Sequence, residues 1–140
     1  MAELFPVRVD DYCRTFNISF FDLRLRCIFC NFYLTVRELA EFYEKQLSLV
    51  WRRFECYACC ERCIGLSAKY EREKYFQCAI KPTNIVTVCN RPLREIVVRC
   101  FYCFMLLDAD EKLDHISRDK SFLLVRDHWR GYCRRCMRKQ

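Results

Sequence analysis

Cys27-Ile28-Phe29-Cys30 and Cys60-Glu61-Arg62-Cys63 bracket residues 31–59, and Cys100-Phe101-Tyr102-Cys103 and Cys133-Arg134-Arg135-Cys136 bracket residues 104–132, 29 residues in each case. Each later cysteine stands 73 positions after its counterpart, and the same shift pairs Leu34 with Leu107, Glu38 with Glu111, Ser48 with Ser121 and Arg62 with Arg135. A spacing kept to the residue across eight cysteines marks an internal duplication. Each C-x2-C pair turns two thiolates toward one ion, and two pairs complete a tetrahedron around Zn²⁺ at about 2.3 Å per bond. Four thiolates leave no open position for water, so the expected sites are structural. An iron-sulfur cluster is the competing occupant of such spacing.

A second pair, Cys56 and Cys59, competes with Cys60 and Cys63 as ligands. Only the latter keeps the duplicated interval, because Trp129 and Tyr132 stand 73 residues beyond Cys56 and Cys59. The ligand set is therefore Cys27, Cys30, Cys60, Cys63, Cys100, Cys103, Cys133 and Cys136. Cys13, Cys56, Cys59, Cys78 and Cys89 are expected to be free thiols or small buried hydrophobes.

The rest of the composition agrees with metal rather than disulfides. Of 140 residues 13 are Cys, an odd number, and the first residues, Met1 to Asp11, show no basic stretch followed by an apolar one. A reducing compartment is the expectation, where thiols bind metal. Two domains of this size have too little core to fold on hydrophobic burial alone, and zinc supplies the difference. Charges interrupt every apolar run, so no membrane association is expected.

The pattern predicts an α+β fold: an N-terminal arm and first zinc domain over 1–63, a linker helix over 64–81 and a second zinc domain over 82–140. Asp10 and Asp11 are expected to cap a helix through Phe16, and Ser19 with Asp22 to open a second turn. Thr35 precedes a 3–4 apolar spacing that ends near Gln46, a helix. Alternation from Leu47 to Trp51 predicts a strand. The second repeat reads likewise, with a helix over 108–118, a strand through Phe122, Leu124 and Arg126, and an extended Ile96 to Arg99. His115, with no partner at metal spacing, is expected at the surface or at a cap.

Two C-x2-C-x29-C-x2-C modules, separated by 36 residues (64–99) and ending on Trp129-x-Gly131-x-Cys133, resemble the papillomavirus early protein six family over essentially the whole chain. The sister early protein seven has one such module and a Leu-x-Cys-x-Glu motif, whose Glu is missing from Leu25-Arg26-Cys27-Ile28-Phe29. The resemblance implies two structural zinc ions and a non-enzymatic viral oncoprotein of the host nucleus and cytoplasm. It further implies capture of acidic helical Leu-x-x-Leu-Leu motifs of host proteins in a groove between the two zinc domains and the connecting helix. The captured partner, a mastermind-like Notch coactivator by preference or a ubiquitin ligase, would have its role in transcription, differentiation or protein turnover altered.

Carried over residue by residue, the resemblance implies an apolar floor of Leu47, Val50, Cys59, Ile64 and Val97 and polar contacts from Arg52 and Arg99. His128 replaces a family arginine; a neutral imidazole cannot form the bidentate pair of a guanidinium, so partner choice is expected to differ. The plain alternative is that Leu47, Val50 and Ile64 are core and the two arginines a solvated surface. PDZ recognition needs Ser or Thr two before a terminal apolar residue; Arg138 and Gln140 occupy those places, so no PDZ partner is expected. Within the family this resembles cutaneous rather than high-risk mucosal types.

Net charge is +7, with six basic residues against one acidic from Arg126 to Gln140. A nucleic-acid-binding zinc protein acting through that basic segment is the second reading. It is opposed by the absence of spaced Cys and His ligands of a base-reading finger and of any helix with periodic Arg or Lys. An enzyme is the third, and no Cys-His or Ser-His pair or interleaved RING ligand order supports it.

Overall fold

The computed structural model describes residues 5–138; Met1 to Leu4, part of the leader reading, and Lys139 and Gln140, part of the PDZ reading, lie outside the described residues. The chain divides into two compact units, one through Ile64 and one from Gly65.

The first unit contains helix α1 (Val9–Thr15), strand β1 (Arg26–Cys27), helix α2 (Val36–Glu44) and the hairpin β2 (Val50–Arg52) and β3 (Glu55–Ala58). The strands order as β1-β3-β2, with β1 parallel and β2 antiparallel to β3. Helix α3 (Glu61–Tyr75) begins in the first unit and continues in the second. The second unit adds β4 (Phe76–Ile80), α4 (Ile85–Cys89), β5 (Val98–Cys100), α5 (Ala109–Ser117), β6 (Phe122–Val125), β7 (His128–Gly131) and the short α6 (Arg134–Met137). Its strands order as β4-β6-β7-β5. Leu39 and Phe42 of α2 are buried with Leu25, Leu34 and Leu49 in the first unit. Ile85, Ile96, Val98, Leu107 and Phe122 cluster with Cys100, Cys133 and Cys136 in the second.

The duplication is deeper in backbone conformation than in side chains. The non-glycine residues with positive φ pair off at the 73-residue shift: Asn17 with Asn90, Asn31 with Phe104, Gln46 with Asp119, Arg53 with Arg126, and Phe54 with Asp127. The left-handed region costs an ordinary residue on the order of 1 kcal/mol, so its recurrence reflects a shared fold that demands it. Two successive positive φ values at 53–54 and at 126–127 are those of a type I′ hairpin turn, whose twist matches that of the flanking strands. The pairings of Val50 with Tyr57 and Leu123 with Arg130 repeat the register. In the first unit Leu49 N–H donates to the Val7 carbonyl (2.7 Å). That is the counterpart of the Phe122–Ile80 pairing of β6 with β4.

Four expectations change. The linker helix over 64–81 is instead a helix over 61–75 followed by strand β4, because Phe76, Cys78 and Ile80 pair with β6 and the ladder overrides local helix preference. Asp10 and Asp11 lie in the first turn of α1 and Arg8 takes the cap position, so the acids favour the helix by charge rather than by capping. The strand at Leu47–Trp51 starts only at Val50, since Gln46 is left-handed and Leu49 bonds to Val7. His115 is fully buried rather than superficial. Its ring stacks between Phe122 (centroids 4.5 Å) and Tyr132 (5.9 Å). Among the described residues no helix is long and apolar enough to cross a membrane.

Candidate metal centres and binding residues

The first cysteine pair of each repeat sits in a tight turn closed by the backbone. Asn31 N–H donates to the Cys27 carbonyl (2.9 Å) and Phe104 N–H to that of Cys100 (3.1 Å), with Asn31 and Phe104 left-handed. The second pair of each repeat sits at a helix start. Cys60 precedes α3 and accepts from Ile64 N–H (2.9 Å), and Cys133 caps α6 and accepts from Met137 N–H (2.7 Å). Unsatisfied N–H groups at a helix start favour thiolate there.

The two sets close into cages. The sulfurs of Cys27, Cys30, Cys60 and Cys63 lie within 4.8 Å of one another, as do those of Cys100, Cys103, Cys133 and Cys136. Sulfurs at 2.3 Å from a tetrahedral ion stand about 3.8 Å apart. The Cys30–Cys60 and Cys103–Cys133 separations are 3.8 and 3.7 Å. Donor set, number and edge length therefore fit one structural zinc ion in each unit. Cys56 and Cys59 belong to neither cage.

Charge within the cages is uneven. Burial raises the Cys27 thiol, yet backbone N–H groups of Cys30, Cys60 and Phe29 bring it down to about 6. Hydrogen bonds from Cys103 and Cys133 bring Cys100 down to about 2. Cys63 is pushed up by burial and its neighbours' sulfurs, and Cys103 by hydrogen bonding to Cys100 and Cys133. A divalent cation is what allows all four sulfurs of a cage to ionise. Outside the cages, burial pushes both Cys56 and Cys59 up to about 12.

Glu38 and Glu111 hold each cage's helix start in place. Glu38 Oε1 accepts from Thr35 N–H (3.1 Å) in a reciprocal capping box, and its Oε2 accepts from Glu61 N–H (3.0 Å), next to Cys60. Glu111 does the same, accepting from Asp108 N–H (3.0 Å) and from Arg134 N–H (2.5 Å), next to Cys133. One carboxylate thus ties the start of the inter-knuckle helix to the start of the ligand-bearing helix. The sequence carries the signal, Thr35-x-x-Glu38 and Asp108-x-x-Glu111, a capping box in both repeats.

Of the residues assigned to peptide capture, Leu47, Val50 and Cys59 are half-buried, Arg52 is exposed and Ile64 is buried. In the second unit Val97, Arg99 and His128 line one open concavity of about 690 Å³ together with Ile96, Trp129 and Arg91. Glu95 and Asp127 also line it, and Asp127 is engaged by Gln77 Nε2 (2.8 Å). Arg99 donates to the Phe104 carbonyl (2.8 Å). At the matching place in the first repeat, Arg26 pairs with Glu55 (2.6 Å). His128 stands where Glu55 would be, so the second repeat supplies an imidazole in place of that carboxylate.

Comparison with known proteins gives one consistent result. The family model described as Early Protein (E6) matches residues 27–136. Protein E6 of Human papillomavirus 65 is 52% identical and that of Human papillomavirus 4 is 51% identical, over the full length of both chains. Protein E6 of Human papillomavirus type 60 is 49% identical over 137 residues, 98% of this chain and 96% of that protein.

Proposed function

The chain belongs to the papillomavirus Early Protein (E6) family, and we propose that it acts as a non-enzymatic adaptor capturing acidic helical Leu-x-x-Leu-Leu segments of host proteins. A mastermind-like coactivator is the favoured partner and a ubiquitin ligase the other, in the host nucleus and cytoplasm. The observation that supports this reading is the concavity that gathers apolar Val97 and cationic Arg99 with the imidazole of His128, which lies about 30 residues further along the chain. An amphipathic helix with acidic flanks needs apolar contacts for its leucines and cations for its carboxylates.

Nucleic-acid binding gains less support. Two of the basic residues toward the C-terminus are already engaged, Arg130 with Glu71 (3.2 Å) and Arg134 with Asp108 (3.4 Å).

The test is titration of the zinc-loaded chain with an acidic Leu-x-x-Leu-Leu peptide at physiological salt. Val97→Glu and Arg99→Glu are each expected to weaken binding at least tenfold while both zinc ions stay bound. Unchanged affinity in both variants would sink the reading, as would DNA binding with a steep salt slope in place of peptide binding. Ile64→Glu is a poor probe, since Ile64 is only 4% exposed and a buried charge would unfold the helix start.

A further inference from the structure

Helix α5 meets the turn Leu93–Glu95 over a small open concavity of about 240 Å³, lined by Pro92, Leu93, Arg94, Ala109, Lys112 and Leu113. Its walls are apolar and its two charged groups are both cations. At the 73-residue shift Lys112 matches Leu39, and Leu93 matches Phe20. Leu39 is fully buried in the core of the first unit. The second repeat thus places a lysine, only 6% exposed, where the shared fold takes a leucine.

A buried ammonium is ordinarily held by a carboxylate, because taking it out of water is costly. Lys112 makes no ion pair among the described residues. Its Nζ donates to the Leu93 carbonyl (3.2 Å), a single neutral acceptor for a group with three N–H donors. Burial lowers its pKa, against a smaller upward pull from Asp108. Asp108 is itself engaged, accepting from Glu111 N–H (2.8 Å) and from Arg134 (3.4 Å). Glu111, next to Lys112, is taken up by the Asp108 and Arg134 N–H groups. Arg94, the other cation of the lining, is exposed and likewise makes no ion pair among the described residues. Apolar walls and two cations with no acid in the lining leave one role unfilled, that of an anion.

We propose that this concavity binds a small apolar monocarboxylate, its carboxylate accepting from Lys112 Nζ and its hydrocarbon part covering Pro92, Leu93 and Leu113. The volume sets the size: at about 30 Å³ per water the space equals roughly eight waters, room for a ligand of roughly six to ten non-hydrogen atoms. The carboxylate supplies the partner that the fold leaves out, as a charge-assisted hydrogen bond in a site shielded from water. The hydrocarbon removes apolar surface from water, above all that of Leu113, which is 53% exposed in the free chain. Inorganic phosphate or sulfate would meet the cations and leave those walls wet. Such a carboxylate occurs free, as a short fatty acid, or at the end of a polypeptide with an apolar last residue, and the chemistry recognised is the same.

The test is titration of the zinc-loaded full chain with hexanoate, N-acetylleucine and 1-hexanol, followed by amide NMR shifts, with two zinc ions per chain as the check on folding. At least one of the two acids is expected to saturate the site, with shifts centred on Leu93, Arg94 and Lys112. It should bind at least tenfold tighter than 1-hexanol, which has the apolar body without the charge. The tighter acid tells the free source from the chain terminus. Lys112→Leu, which restores the residue of the first repeat, is expected to keep both zinc ions and lose at least tenfold in carboxylate affinity. Lys112→Gln, which removes the charge and can still donate to the Leu93 carbonyl, is expected to lose as much, separating recognition of the anion from a merely structural tie. Failure of both acids to saturate overturns the proposal. So does 1-hexanol binding as tightly as the acids, or carboxylate affinity unchanged in the Lys112 variants.

Discussion

His115 Nε2 lies 2.9 Å from the backbone N–H of Tyr132, the residue before the ligand Cys133. Since that nitrogen accepts, Nδ1 must carry the proton that it gives to the Glu111 carbonyl (2.8 Å). The ring is therefore neutral and bridges α5 to the last knuckle. Gly131 is required beside it: a Cβ there would stand 2.7 Å from His115 Nε2.

His115→Leu leaves the Tyr132 N–H unpaired, while the Glu111 carbonyl keeps its helical partner, and is expected to cost about 1–3 kcal/mol of second-unit stability. Gly131→Ala forces a rigidly held ring to move and is expected to cost about 1–3 kcal/mol. The two changes together should cost less than their sum, since the ring atoms that a Cβ at 131 would meet are absent from leucine at 115; thermal melts in a double-mutant cycle check this. Burial lowers the His115 pKa below its ordinary 6.5. The unfolded chain then binds the proton first as pH falls, so this contribution to stability is complete above about pH 6.5 and declines below it. The wild-type stability minus that of His115→Leu should show that slope between pH 7.5 and 5.5, with the thiolate contributions common to both.

Glu111→Ala should loosen the second cage without removing a ligand. It deletes acceptors for two backbone N–H groups, at a cost of about 1–3 kcal/mol, and frees the residue after Cys133. Competition with a chromogenic zinc chelator is expected to show zinc leaving the second unit faster, with the first unit unchanged. Glu38→Ala should give the mirror result. Zinc loss from both variants at the wild-type rate would remove the positioning role.

Cys133→Ser is expected to leave one zinc ion per chain and abolish the second unit's cooperative melt, because a structural zinc supplies on the order of 10 kcal/mol of folding free energy. In the zinc-loaded wild type, maleimide at neutral pH should modify exposed Cys78 first. Cys56 and Cys59, half-buried and with thiols pushed up to about 12, should lag. Cage cysteines should react only after chelation. Peptide mass mapping with Cys56 or Cys59 ahead of Cys78 contradicts the assigned environments.

The metal centres were legible because a C-x2-C spacing is a local constraint, and its repetition at 73 residues separated ligands from the decoy pair Cys56 and Cys59 without any structure. Helices α2 and α5 were legible for the same reason, since capping and 3–4 periodicity act within a turn or two. The hairpin turns were not. Arg53-Phe54 and Arg126-Asp127 carry none of the Asn or Gly that advertise positive φ, and it is the strand pairing on either side that holds them there.

Eight ligands, two duplicated modules and the family were therefore determined by the sequence alone, because covalent spacing and ligand chemistry are properties of the chain. Only the tertiary structure decided that residues 76–80 form a strand and that His115 is an interior bridge. Each of those depends on which backbone groups remain to be paired once distant segments have met. A hydrogen-bonding group buried or left over by a partner 40 or 50 positions away has no signature in its own neighbourhood of the sequence.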